Sequence, residues 1–176
     1  MKNIFTIIAL TISFSMNAQT FWFQGTGQNA IQTYNTTASG TASTAMGNGT
    51  TASGTASTAM GNGTTANGVG STAMGGTTIA SGTYSTAMGG TTIASGTYST
   101  AMGGATTASG LGSTAMGRNT TASDYGSLVI GQYNSSGSAV TSNATSFDTA
   151  NTAFVIGNGV DSSNISDAFS ILFDGT

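Results

Sequence analysis

There is no cysteine, proline, histidine or glutamate anywhere in this 176-residue chain. Without cysteine there is no disulfide framework and no thiolate metal site. Without histidine the commonest general base is missing, and no Ser–His or Cys–His pair can be assembled. Charge is nearly absent too. Lys2 and Arg118 are the only cations, and Asp124, Asp148, Asp161, Asp167 and Asp174 the only anions, giving a net charge of −3. Two scattered cations make no footprint for a phosphate backbone, so no nucleic acid is expected as a partner. The aspartates follow no period, which removes calcium-binding β-roll repeats. No G-x-G-x-x-G joins a strand to a helix, and the Walker lysine is missing. No enzymatic activity, no cofactor and no metal are expected.

Long apolar runs are scarce as well, with one exception at the start. Lys2, the run IFTIIALTISF and the small-residue context SMNAQ have the build of a secretory signal. The run is shorter than the ~20 apolar residues a membrane helix needs. The expectation is a signal peptide over residues 1–18, cut near Ala18, and a secreted or cell-surface chain that does not span a membrane after cleavage.

What is abundant is Thr, Ser, Ala and Gly, in strict order. STAMG begins at Ser43, Ser57, Ser71, Ser85, Ser99 and Ser113, always fourteen residues apart, and SLVIG follows on schedule at Ser127. TTASG or a close variant sits between them, from Thr36 to Thr120. Such a register is the signature of a repeat architecture. Frequent Gly and β-branched Thr disfavour helix, while Asn-Gly is a tight-turn signal. Each unit therefore reads as two short strands and two turns, one coil of an all-β solenoid. Rungs advance about 4.8 Å each, so seven coils make a rod of roughly 35 Å.

Alternation along a strand assigns the faces. In STAMG, Ser43, Ala45 and Gly47 share one face and Thr44 and Met46 the other. In TTASG, Thr36, Ala38 and Gly40 face away from Thr37 and Ser39. Facing Ala and Gly across a thin interior leaves no room for methionine, so Met46, Met60, Met74, Met88, Met102 and Met116 point outward beside Thr44 and its equivalents. Leu128 and Ile130 take those places in the seventh coil. The opposite arrangement, methionine inside and alanine outside, is the alternative. A continuous apolar stripe on an exported rod implies burial against another chain.

STAMG and SLVIG alternating with TTASG resemble the head repeats of trimeric autotransporter adhesins, the YadA-like heads, whose fourteen-residue units carry a Ser-Val-Ala-Ile-Gly type pentapeptide. The resemblance covers about residues 36–131 and extends weakly to TAFVIGNG at 152–159. It implies a left-handed parallel β-roll assembled as a homotrimer, with the Thr44/Met46 ladder turned towards the neighbouring subunits, on a bacterial cell surface. Thr and Met stand where the family has Val and Ile, which implies a softer subunit interface.

The remaining organisation is an aromatic N-terminal cap over 19–35, the β-roll over 36–131, a polar loop or insertion over 132–151 and a closing segment over 152–176. The cap concentrates Phe21, Trp22, Phe23, Ile31 and Tyr34, and a carbohydrate-binding platform is an alternative reading of it. Asp161 and Asp167 are expected in solvated turns. The leading function is an adhesin-type head that attaches to an extracellular surface or matrix ligand. Candidate contacts on its outer face are Thr37, Thr51, Thr65, Ile79 and Ile93, with Tyr84 and Tyr98 at the turns, since aromatics are favoured at interfaces. A second reading is an ice-binding solenoid presenting Thr ladders. A third is an amyloid-like fibre, because the segments are uncharged and free of proline.

Overall fold

A computed structural model describes residues 22–176. The expected signal segment, its cleavage context and Phe21 lie outside the described residues. The described chain is all-β, with an eleven-stranded and a seven-stranded sheet.

One path repeats coil after coil. In the second copy, Thr51–Ala52 is a two-residue strand and Thr58–Asn62 a five-residue one. The first is short because the N–H groups of Ser53 and Gly54 both donate to the Ala66 carbonyl, at 3.0 and 3.2 Å. That doubled bond ends the ladder and swings the chain into a turn, closed by Ser57 N–H donating to the Gly54 carbonyl at 3.2 Å. The second corner is the Asn-Gly, where Gly63 takes φ 63° and donates to the Asn48 carbonyl of the preceding coil. Neighbouring coils pair in parallel without slip: Thr58 on Thr72, Ala59 on Ala73, Met60 on Met74, and Thr51 on Thr65.

The interior is a stack of alanines. Both rows, from Ala38 to Ala122 and from Ala45 to Ala115, are wholly buried and form one cluster with Val129 and Val155. Met46 and its equivalents stand outside the core, half-buried, so the inward-methionine arrangement does not occur. Between the alanines run two rows of buried hydroxyls, Ser43 to Ser113 and Thr50 to Thr120, which have no hydrogen-bond partner among the described residues. The end coils differ. The Thr36 hydroxyl donates to Thr33 O at 2.7 Å, and the Ser127 hydroxyl to Asp124 O at 2.9 Å.

Glycine plays another part than facing alanine across the interior. Gly47 is exposed at φ 117° instead of sharing the inward face of Ser43 and Ala45. The TTASG glycines lie against the next coil. A Cβ on Gly96 would sit 2.7 Å from the Gly110 carbonyl carbon and 2.8 Å from Ser109 O, and would overlap the Gly110 oxygen. The glycines thus set the stacking distance, and the alanines fill the thickness.

Both ends are closed with side chains standing in for missing strands, since bare sheet edges invite further pairing. Phe23–Gln24 and Ile31–Gln32 form an antiparallel hairpin, and Ile31 pairs with Thr44. There the Thr33 hydroxyl accepts Gly47 N–H at 3.1 Å, and Gln32 Oε1 accepts Ala38 N–H at 2.9 Å. At the other end residues 133–151, without strands, cover the last rung of the seven-stranded sheet. The Asn134 amide copies a strand partner, taking Thr121 N–H at 2.8 Å and donating to Thr121 O at 2.9 Å.

Asp124 stands in the last coil where earlier coils have glycine, and no further TTASG coil lies above it. Fully buried, its carboxylate accepts Thr141 N–H at 2.6 Å and Thr152 N–H at 2.8 Å. Thr152–Asn158 then adds a parallel strand to Leu128–Gln132, and Asp167–Leu172 returns antiparallel as the final strand. Asp161 lies in an exposed turn, whereas Asp167 opens this strand rather than sitting in a turn.

Candidate functional site

Three surfaces carry the outward side chains. The first is the outer face of the eleven-stranded sheet. Register places Thr44, Thr58, Thr72, Thr86, Thr100, Thr114, Leu128 and Phe154 in one row. The adjacent row runs Met46, Met60, Met74, Met88, Met102, Met116, Ile130 and Ile156. The antiparallel last strand extends both, with Ile171 beside Phe154 and Phe169 beside Ile156. The Phe154 and Phe169 rings are 5.9 Å apart. The expected ladder is therefore longer and bulkier at its C-terminal end than the pentapeptides alone indicate. TAFVIGNG, to which the sequence resemblance extends, supplies that continuation: Phe154 follows Leu128 by 26 residues instead of fourteen, because the covering loop intervenes.

The second surface is the outer face of the seven-stranded sheet, where Thr37, Thr51, Thr65, Ile79, Ile93, Thr107 and Thr121 form one row. Ile79 and Ile93 are exposed neighbours in register, an apolar step inside a hydroxyl row. Ser39, Ser53, Asn67, Ser81 and Ser95 stand exposed two residues further along each coil.

The third surface is the corner after the short strand. Tyr84 and Tyr98 occupy the third position of the turns Gly82–Ser85 and Gly96–Ser99, with φ of 56° and 59°. Both stay on the turn because their N–H groups donate to Val69 O and Thr83 O of the preceding coils. Their rings are stacked, centroids 5.6 Å apart and planes 4° from parallel. Thus the structure brings Tyr84 to Tyr98 and Ile79 to Ile93, and sets the Met ladder on a different sheet from the Thr37 row.

The carboxyl groups with lowered pKa values lie in the C-terminal segment. Burial pushes the Asp167 carboxyl up, but the N–H groups and hydroxyls of Ser136 and Ser135 outweigh it and hold its pKa below the usual carboxylate value. Asp161 is held low by Ser163 N–H and the Asn164 amide. Among the described residues no cluster of three acidic, His or Cys side chains is placed to hold a metal ion. No helix among them is long and apolar enough to cross a membrane.

Comparison with known families agrees with this geometry. The description YadA head domain repeat (2 copies) matches seven overlapping stretches: 34–50, 38–64, 52–78, 66–92, 80–106, 94–119 and 108–134. No curated protein matches the chain. The stretches overlap from residue 34 to residue 134, more than half the chain, and their step of one coil is the step of the strands just described. The chain belongs to the YadA head repeat family of adhesin-like surface proteins.

Proposed function

We propose that this chain is the head of an exported homotrimeric adhesin, packed through the Thr44/Met46 ladder and presenting the Thr37 row and the tyrosine corner to an extracellular surface or matrix ligand. The observation that carries the reading is the unbroken apolar ladder. From Met46 to Ile156 it is in register on every rung, half-buried at the methionines and carried on by Phe154 and Phe169. A water-facing sheet has no use for such a stripe, whereas three copies can close theirs around one axis and bury it. The near absence of charge suits the same arrangement, since stacking like faces brings no like charges together. Membership of the family, whose heads the sequence resemblance describes as trimeric, supports it.

The test is solution mass by light scattering. The chain is expected to run as three copies, and the double substitution Met88→Asp and Met102→Asp, which puts six carboxylates into a dry trimer axis, to run as one. A wild-type monomer at all concentrations would sink the proposal.

The Thr37 row favours a second reading, ice binding. It offers methyls at one regular rung spacing, and hydroxyls on every rung except those of Ile79 and Ile93, on a sheet of short parallel strands. Measurable thermal hysteresis, lost on Thr51→Lys with Thr107→Lys, is its expected outcome; an adhesin head alone gives none.

A further inference from the structure

Tyr84 and Tyr98 stand where the other coils have no large side chain. The same corner position is Ala42, Ala56, Gly70, Gly112 and Gly126 in the remaining coils, all with positive φ. A tyrosine in that backbone region is uncommon, and here two occur on consecutive rungs. The Tyr84 ring leans over Gly70: a Cβ there would lie 2.6 Å from its Cδ1 and 2.8 Å from its Cε1. Tyr98 stacks on Tyr84 in turn. Towards Gly112 the position is open, with nothing within 4 Å of where a Cβ would be. On the Gly112 side Tyr98 thus meets no side chain at the corner position, and the two tyrosines are 56% and 60% exposed.

We infer that the Tyr84–Tyr98 pair is a stacking platform for the face of a neutral pyranose ring. An exposed, flat and doubly supported aromatic face takes a flat partner, because its negative π-surface attracts polarised C–H groups as well as other rings. The Tyr84 ring beneath keeps Tyr98 from turning, so little side-chain freedom is lost on binding. The gap left by Gly112 gives the height for a ring to lie on it. Between the described N-terminus and Arg118 there is no charged side chain. That absence disfavours a nucleobase, which brings its phosphates and needs cations, and equally an acidic sugar. Thr83 and Thr97 directly precede the two tyrosines in the same turns, which keeps the corner polar and uncharged. The inference rests on reading the head as an attachment surface, and it names the ligand class.

The experiment is saturation-transfer NMR on the full chain with methyl β-glucopyranoside and methyl β-galactopyranoside, and sialyllactose as the acidic probe, with solution mass measured in parallel. Transfer is expected onto the ring protons of one sugar face, for at least one neutral glycoside and more strongly than onto the sialic acid. Tyr98→Ala should lower it at least tenfold, while Tyr98→Phe keeps it, since the ring face does the binding. Alanine occupies this corner natively at residues 42 and 56, so Tyr98→Ala is expected to fold. Absence of transfer from both glycosides, or transfer unchanged in Tyr98→Ala, overturns the inference; with a three-chain mass it leaves the head reading intact. A change of mass in Tyr98→Ala overturns it differently, by making the tyrosines a contact between copies of this chain.

Discussion

Replacing Gly96 by alanine adds one methyl group, yet it should damage this protein more than most core truncations. The new Cβ would overlap the Gly110 carbonyl oxygen and lie 2.7 Å from its carbon, inside the 3.0 Å that real Cβ atoms keep. Both neighbours are backbone, so no rotamer change relieves the clash; the two coils must separate by about 1 Å at this edge. Separation stretches the bonds from Ser95 N–H and Gly96 N–H to Ala108 O, now 2.9 and 3.2 Å. Two buried backbone bonds spoiled without access to water amount to about 3–5 kcal/mol. Gly76→Ala is the control, because nothing lies within 4 Å of its Cβ and its φ is not in the left-handed region. There the loss of unfolded-state freedom should make the change neutral or stabilising by about 0.5 kcal/mol. Urea unfolding followed by far-UV circular dichroism, at one fixed protein concentration, compares the three chains. If Gly96→Ala falls within about 1 kcal/mol of wild type, the coils are not held at the spacing described and the stacking argument is wrong.

Other consequences follow from the same packing. Thr92→Val removes a buried hydroxyl that has no partner and should stabilise by about 1 kcal/mol. By contrast, Thr36→Val strips bonds to Thr33 O and Ala45 O and leaves Thr33 N–H with Ala45 O as its remaining acceptor, for a loss of about 1 kcal/mol. A loss at Thr92 too, in the same unfolding experiment, would place a hidden partner such as a buried water on that hydroxyl. Asp124→Ala orphans Thr141 N–H and Thr152 N–H. It should lower stability by about 2–4 kcal/mol, with hydrogen exchange rising over 135–152 before the coils around Met60. The lowered pKa of Asp167 means that its carboxylate stabilises the fold above the unfolded value of about 3.8. That contribution fades as pH falls from there through the lower folded value. Asp167→Asn should flatten this part of the acid-unfolding profile, and an unchanged profile would refute the assignment.

Much of the array is written in single residues. Ala45 inside and Met46 outside follow from alternation together with the impossibility of fitting methionine where alanine fits, and the fourteen-residue step gives the parallel register directly. Gly47 was misplaced because alternation assumes an extended backbone, and its φ of 117° breaks it. The role of Gly40 and its equivalents was illegible for a related reason. A glycine in a strand pattern signals close approach, but the pattern does not say from which direction. Asp124 reads as a slipped letter in TTASD until the structure reveals that no coil lies above it. Likewise, the stacking of Tyr84 on Tyr98 depends on the left-handed turn at both residues, which a sequence containing tyrosine there argues against. The ends were the least legible part, since Gln32, Thr33 and Asn134 act as substitute backbone through side-chain geometry alone.

The uniform joint between coils makes the height of this rod a countable quantity. Residues 36–49 repeat as 50–63, and 76–89 as 90–103, so each joint presents the same glycine and alanine contacts to whatever coil comes next. A whole coil gained or lost would meet unchanged neighbours on both sides, lengthen or shorten the column by one step of about 4.8 Å, and leave Gln32 and Asp124 to close the ends as before. The paired tyrosines sit in two identical coils, so a single duplication of fourteen codons suffices to turn one ring into two. In such a protein, reach and valency are edited by copying, without redesign of any surface.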